Sequence, residues 1–282
     1  MAEPLRRAER WRTAAPRPAR AAAPGRAARA ARAVAALVVV LAACRPSAGE
    51  TLGIEVLRQL PHDPQAWTQG LELDGDTLYE STGLVGYSSL REVSARTGAV
   101  IRQRDVPAPY FAEGITVVGD ELLMLTWRNG VLFRWDTATF EPTGRATYEG
   151  EGWGLCYDGE ALWMSDGSSR LTRRDPETFA VISTLAVRRA GEPVTQLNEL
   201  ECVDGKVYAN RWLTDEIVVI DAATGAVTAT IDGSPLRRLA GPLPGDAWLN
   251  GITYLPESGT FLLTGKLWPS YFEVRFVPAS QD

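Results

Sequence analysis

The 282-residue sequence contains one histidine, His62. A catalytic zinc site of the usual histidine-based type cannot be built from one imidazole. A Ser-His-Asp triad would have to use His62, which sits in the turn Pro61-His62-Asp63-Pro64 with no nucleophile elbow nearby. No Gly-rich phosphate loop is present either, since Gly70 and Gly114 read as backbone turns rather than parts of a Walker motif. No carboxylate cluster of calcium-binding type stands out. Sustained helical periodicity is also missing, which excludes a helix bundle.

Apolar runs are short. The stretch Ala33–Leu41 falls well below the roughly 20 residues that a membrane-spanning helix needs. It follows an Arg-rich segment and fits the h-region of a signal peptide, so residues 1–43 read as an export signal. The segment Leu41-Ala42-Ala43-Cys44 resembles the lipobox of bacterial lipoproteins. On that reading Cys44 is lipidated, residues 44–53 form a tether, and the only membrane contact is through the lipid. The alternative is an ordinary signal peptide with a secreted or periplasmic product. Either way the chain is expected to be exported. Residues 1–43 hold nine Arg against two Glu, so the rest is more acidic than the overall charge of -6 implies. An acidic body argues against nucleic acid as a partner. Two more cysteines, Cys156 and Cys202, each stand two residues before an Asp-Gly turn in adjacent repeats. They read as small buried thiols, with a disulfide left open by export.

What the sequence does have is a repeat of about forty residues. From residue 54 on, apolar segments flank Asp-Gly or Gly-Asp pairs: Asp74-Gly75, Gly119-Asp120, Asp158-Gly159 and Asp204-Gly205, with a longer turn at Pro256–Gly259. Such pairs between apolar strands are strong hairpin signals, because the turn needs a positive φ. A second hairpin follows in most copies. Each repeat thus reads as four antiparallel strands, and five copies predict an all-β, five-bladed β-propeller over residues 54–282. The last copy lacks an outer hairpin, and the early strand Ile54–Leu60 is expected to complete that blade and close the ring. An open β-sandwich is the other architecture.

Propeller sites form where equivalent loops converge on the channel. The positions before each innermost strand hold Gln69, Phe111 with Glu113, Trp153, Asn198 and Asn250. Loops after the second strands hold Trp127, Trp212 and Lys266. Nine tryptophans make the chain indole-rich, and any one Trp is ordinarily core. Three of them around a carboxylate, amides and a Lys describe a mostly apolar pocket with a few orienting polar groups. A carboxyl among indoles is desolvated and its pKa rises, which suits proton exchange near neutral pH.

These segments, Trp67-Thr68-Gln69-Gly70, Phe111-Ala112-Glu113-Gly114, Leu197-Asn198-Glu199-Leu200-Glu201, Leu249-Asn250-Gly251-Ile252 and Leu263-Thr264-Gly265-Lys266-Leu267-Trp268-Pro269, resemble the plant and bacterial glutaminyl cyclases in order across residues 54–277. The resemblance implies a five-bladed propeller that converts the N-terminal glutamine of peptides and proteins to pyroglutamate with release of ammonia, without metal or other cofactor. It places Glu113 on the catalytic glutamate, and Gln69, Phe111, Trp127, Trp153, Asn198, Trp212 and Lys266 on substrate-binding positions. One departure is Trp67, where the family usually has Phe. The expected assembly is a monomer. A non-catalytic propeller that binds peptides or glycans through the same aromatic pocket is the alternative.

Overall fold

The Asp-Gly and Gly-Asp pairs close hairpins as their chemistry requires, with Gly75, Gly119, Gly159 and Gly205 all at positive φ. A computed structural model of the chain describes residues 49–279. The signal segment and Cys44 lie outside the described residues. A first strand, β1 (Glu50–Pro61), precedes a series of four-stranded antiparallel units. The first is β2 (Thr68–Asp74), β3 (Thr77–Thr82), β4 (Ser89–Val93) and β5 (Val100–Asp105). The second is β6 (Ala112–Val118), β7 (Glu121–Thr126), β8 (Val131–Asp136) and β9 (Pro142–Thr147). The third is β10 (Leu155–Tyr157), β11 (Leu162–Ser165), β12 (Arg170–Arg174) and β13 (Val181–Ala186). A small ribbon of β14 (Arg188–Arg189) and β15 (Glu192–Pro193) leads to the fourth unit, β16 (Leu197–Val203), β17 (Lys206–Arg211), β18 (Glu216–Asp221) and β19 (Val227–Asp232). After helix α1 (Ser234–Ala240) come β20 (Leu249–Leu255), β21 (Thr260–Gly265) and β22 (Ser270–Pro278).

These last three strands acquire their fourth from the opposite end of the chain. Strand β1 runs antiparallel to β22 from Leu52 opposite Pro278 to Pro61 opposite Ser270. It begins at Glu50, four residues earlier than expected, so residues 50–53 are strand rather than tether. Those extra residues also pair in parallel with β19, joining the fourth and fifth units into one eight-stranded sheet.

The core is divided among neighbouring units. Leu71 and Leu78 of the first unit pack with Leu262 and Tyr271 of the last. Tyr79 and Leu90 meet Ile115, Leu122 and Trp135 of the second, and Leu123 and Leu132 meet Leu155 and Leu162 of the third. Leu171 faces Leu197 and Val218, and Ile217 and Ile231 face Leu249, Trp268 and Phe272. Every unit therefore buries both faces. Each fully buried aliphatic or aromatic side chain contributes about 1.5–3 kcal/mol. The first strands of the units also touch in succession, β2 to β6 to β10 to β16 to β20 and back to β2.

That succession is tight. A Cβ on Gly154 would lie 2.0 Å from the carbonyl oxygen of Asn198, and one on Gly114 would lie 2.6 Å from the Leu155 nitrogen. Only glycine permits such an approach of backbones.

Two further features depart from the sequence reading. The seven-residue helix α1 starts with Pro235 in its first turn and buries Leu236 and Ala240; it is too short to show a periodic pattern. Cys156 and Cys202 form a disulfide with Cα atoms 5.5 Å apart, where buried thiols were expected. They sit on adjacent first strands, β10 and β16, and the bond ties the third unit to the fourth. A cross-link 46 residues apart in sequence stabilises by about 2–4 kcal/mol through the unfolded chain. The Cys156→Ser/Cys202→Ser protein should melt about 5–15 °C below wild type, and wild type in reductant should match it. Equal melting temperatures for wild type with and without reductant would show that the bond is not made.

Candidate active site

Four of the five first strands carry a β-bulge at one place, between Thr68 and Gly70, Ala112 and Ile115, Leu197 and Leu200, and Leu249 and Ile252. A bulge re-aims the side chain it carries. The residues on these bulges include Gln69, Glu113, Asn198 and Asn250. The third unit starts its strand later, at Leu155, and supplies Trp153 just before it. The loops after the second strands then fold over the same end. Trp127 N–H donates to the Phe111 carbonyl at 3.0 Å, Trp212 N–H to Gln196 at 2.8 Å, and Lys266 N–H to Trp248 at 3.0 Å.

All eight residues expected at the site line one cavity of about 230 Å³: Gln69, Phe111, Glu113, Trp127, Trp153, Asn198, Trp212 and Lys266. Trp67 and Leu84 line it as well. Glu113 is 5% exposed. Gln69 Nε2 donates to its Oε1 at 2.9 Å, and Asn250 Nδ2 donates to Gln69 Oε1 at 3.3 Å. This chain of amides fixes the rotamer of the carboxyl. Burial pushes the Glu113 pKa well above the usual carboxylate range; the nearby Lys266 cation and the Gln69 hydrogen bond lower it only in part, while Glu151 adds to the rise. Burial likewise lowers the pKa of Lys266, against the pull of Glu113 and Asp246. The Lys266 ammonium lies 5.7 Å from the centroid of the Trp67 ring, within cation–π range. Asn198 Oδ1 is buried with no hydrogen-bond partner among the described residues. An unpaired buried acceptor facing a cavity is an open socket for a donor.

Glu151 was missed by the sequence reading. Its Oε2 accepts from both Trp127 Nε1 at 2.8 Å and Trp153 Nε1 at 3.0 Å, and its Oε1 accepts from Arg128 Nε at 2.8 Å. The Arg128 guanidinium in turn stacks 3.8 Å over the Trp127 ring. Partial burial raises the Glu151 pKa, but the hydrogen bonds from Trp153, Arg128 and Trp127 outweigh it and the net shift is downward. One ionised carboxylate thus sets the angle of two pocket walls. Trp153 meets Trp212 edge-on at 5.3 Å, and Phe111 meets Trp127 at 5.6 Å.

His62 takes no part. Its Nδ1 lies 2.6 Å from the Trp268 carbonyl and its Nε2 2.9 Å from Glu80 Oε1, in a buried network that also holds Thr68. Among the described residues no three His, Cys, Asp or Glu side chains converge as a metal-binding set.

Comparison with known proteins agrees with this geometry. A family model described as glutamine cyclotransferase matches residues 29–276. A glutaminyl-peptide cyclotransferase from Arabidopsis thaliana is 40% identical over 231 residues, which cover 80% of this chain and 72% of that protein. The crystal structure of Myxococcus xanthus glutaminyl cyclase superposes with a TM-score of 0.78 at 38% identity, covering 82% of this chain and 100% of that one.

The role of Glu151 is open to a direct spectroscopic check. In Glu151→Ala the indole N–H resonances of Trp127 and Trp153 should move together and near-ultraviolet circular dichroism should weaken, while stability changes by about 1 kcal/mol or less. Unmoved indole resonances would mean that the carboxylate does not hold the rings.

Proposed function

The chain belongs to the glutamine cyclotransferase family, and from that premise we propose how its pocket performs the reaction. The enzyme is a glutaminyl-peptide cyclotransferase: it closes the N-terminal glutamine of a peptide onto itself and releases ammonia. We read the five units as the blades of a five-bladed propeller. The reading is supported by the cyclic contact of their first strands and by the five shared cores.

Glu113 carries the chemistry, and the observation behind that assignment is its setting. It is a buried carboxyl oriented by Gln69, flanked by indoles and faced by a buried ammonium. The substrate α-amine attacks the Cδ of its own side-chain amide. Glu113 takes the proton from that amine and delivers it to the amide nitrogen, which leaves as ammonia while the lactam ring closes. The reaction is intramolecular, so a pocket that holds the glutamine folded supplies much of the rate. Lys266 faces Glu113 and stabilises the oxyanion on the former carbonyl oxygen. Gln69 spends its amide on Glu113 and Asn250, so it positions the base rather than the oxyanion. Asn198 Oδ1 accepts from the substrate's amine or amide N–H. The indoles of Trp127, Trp153 and Trp212, with Phe111, pack on the aliphatic carbons and exclude water.

We further place the protein outside the cytoplasm, with residues 1–43 as its export signal and Cys44 as its lipidated anchor. The Cys156–Cys202 disulfide suits an oxidising compartment. We take the monomer as the active unit, with all the pocket residues assigned a role here supplied by this chain.

Glu113→Gln should keep its melting profile and lose about 10²–10⁴-fold in kcat, measured as ammonia released from a Gln-initiated peptide. Retained turnover would remove Glu113 from its role. Lys266→Met tests the electrostatics separately. The cation lowers the Glu113 pKa, and the base must be ionised to act, so activity rises with pH through that pKa. Removing the cation should therefore move the acid limb of the kcat profile to higher pH and lower the plateau by about 10²-fold. An unshifted limb would separate Lys266 from Glu113.

A further inference from the structure

The catalytic pocket has room for one residue, yet its substrate is a peptide whose chain must leave through the mouth. A second cavity of about 390 Å³ opens beside that mouth and shares two walls with it, Trp67 and Leu84. The cavities at Gly49–Glu50 with Arg188 and at Glu121 with Arg134 share none. Beyond the shared walls, the groove is lined by Tyr87, Asp63, Arg91, Gln103 and Asp105.

We propose that this groove binds the two residues following the substrate's N-terminal glutamine and favours basic side chains there. The proposal rests on the cyclotransferase reading of the adjoining pocket. Three observations carry it.

The first is continuity. Leu84 stands between the two cavities with φ at 98°, a backbone conformation that costs about 1–3 kcal/mol for a residue with a side chain. Its loop is fixed on both sides. Gly83 N–H donates to the Trp67 carbonyl at 2.9 Å, and Tyr87 N–H and Ser88 Oγ both donate to the Leu84 carbonyl at 2.9 Å. Strain held in this way on a partition between two cavities is typical of a preorganised ligand clamp.

The second is charge. Arg91 is committed within the wall, to Asp63 at 3.0 Å and to Ser89 at 2.9 Å, with Glu80 3.8 Å away. Asp63 is satisfied by Arg91 and by the Gln65 backbone N–H. Asp105 differs. It is exposed and accepts from Gln103 Nε2 at 2.8 Å, and no Lys or Arg among the described residues pairs with it. The groove therefore presents one uncompensated carboxylate.

The third is the exposed apolar surface of the loop that carries Leu84. Tyr87 is 83% exposed and Val85 55% exposed on the same loop. Tyr87 and Asp105 line the same groove, and a phenol and a free carboxylate in one groove accommodate the alkyl stem and cationic head of Lys or Arg.

The test compares glutamine amide with the tripeptide amides Gln-Lys-Lys and Gln-Glu-Glu, reading kcat/KM from ammonia release in low salt. Wild type should prefer the Lys peptide by about two- to fivefold, the size of an exposed ion pair, and the preference should fade at 0.5 M salt. Asp105→Asn should abolish the preference. Tyr87→Ala should raise KM for both tripeptides by about threefold, and neither variant should alter turnover of glutamine amide. Equal kcat/KM for the two tripeptides in wild type overturns the groove alone, because glutamine amide still reports the pocket. An equal loss on all three substrates in Asp105→Asn likewise overturns it by making Asp105 structural. Failure to cyclise glutamine amide at all would instead overturn the catalytic reading beneath it.

Discussion

The close approach of the first strands is the constraint on which the rest depends. Where Gly154 passes Asn198 and Gly114 passes Leu155, the backbones are in direct contact. Strands packed that closely leave little room on the axis for side chains. Bulges at one end of four of these strands relieve this by turning one residue of each outward from the ladder. Gln69, Glu113 and Asn198 thereby line a common cavity, with Asn250 bonded to Gln69 behind it, although they are far apart in sequence. Glu199 follows Asn198 on the fourth unit's first strand, and its buried carboxylate accepts from Leu71 N–H at 3.2 Å and Ile252 N–H at 3.0 Å. It takes the place that glycine fills elsewhere and stitches the fourth unit to the first and the fifth.

The site uses burial to set its chemistry and uses few charges to do so. Glu113 and Lys266 are opposite charges that each lose hydration, and each partly restores the charged form of the other. Glu151 stands further out and stays ionised because two indoles and an arginine donate to it. Two carboxylates in one pocket are thus driven apart in pKa by their surroundings, one toward proton exchange and the other toward a fixed negative charge.

Much of this was legible in the sequence because its signals are local. Asp-Gly and Gly-Asp turns between apolar segments mark hairpins wherever they occur, and four of them with one longer turn at regular spacing mark repeats. Glu113, Gln69 and Asn198 could be picked out because they occupy one position in successive repeats. The rest depends on contacts between loops that no spacing records. Glu151, in Gly150-Glu151-Gly152, has no counterpart in other repeats, and its importance arises from two indoles in the loops that follow β7 and precede β10. Trp67 stood out only as a departure from a pattern; in the fold it is the aromatic face beneath Lys266. The disulfide needed two facing strands, and a turn count alone could not distinguish a bond from two thiols. The groove beside Leu84 is invisible for the same reason, since its walls come from three separate segments.

The closing strand has a consequence for how the protein is made. Strand β1 is the first part of the described chain to leave the ribosome, and its partner β22 is the last. Arg58 and Glu273, which pair across that seam, are 215 residues apart. At about 5–20 residues per second, that separation corresponds to roughly 10–40 s of synthesis. Throughout that interval β1 has no antiparallel partner, and the ring is left with an open edge. The final unit can form only once both ends of the chain are in the same compartment. On the proposed export route, this delays the finished fold until translocation is complete.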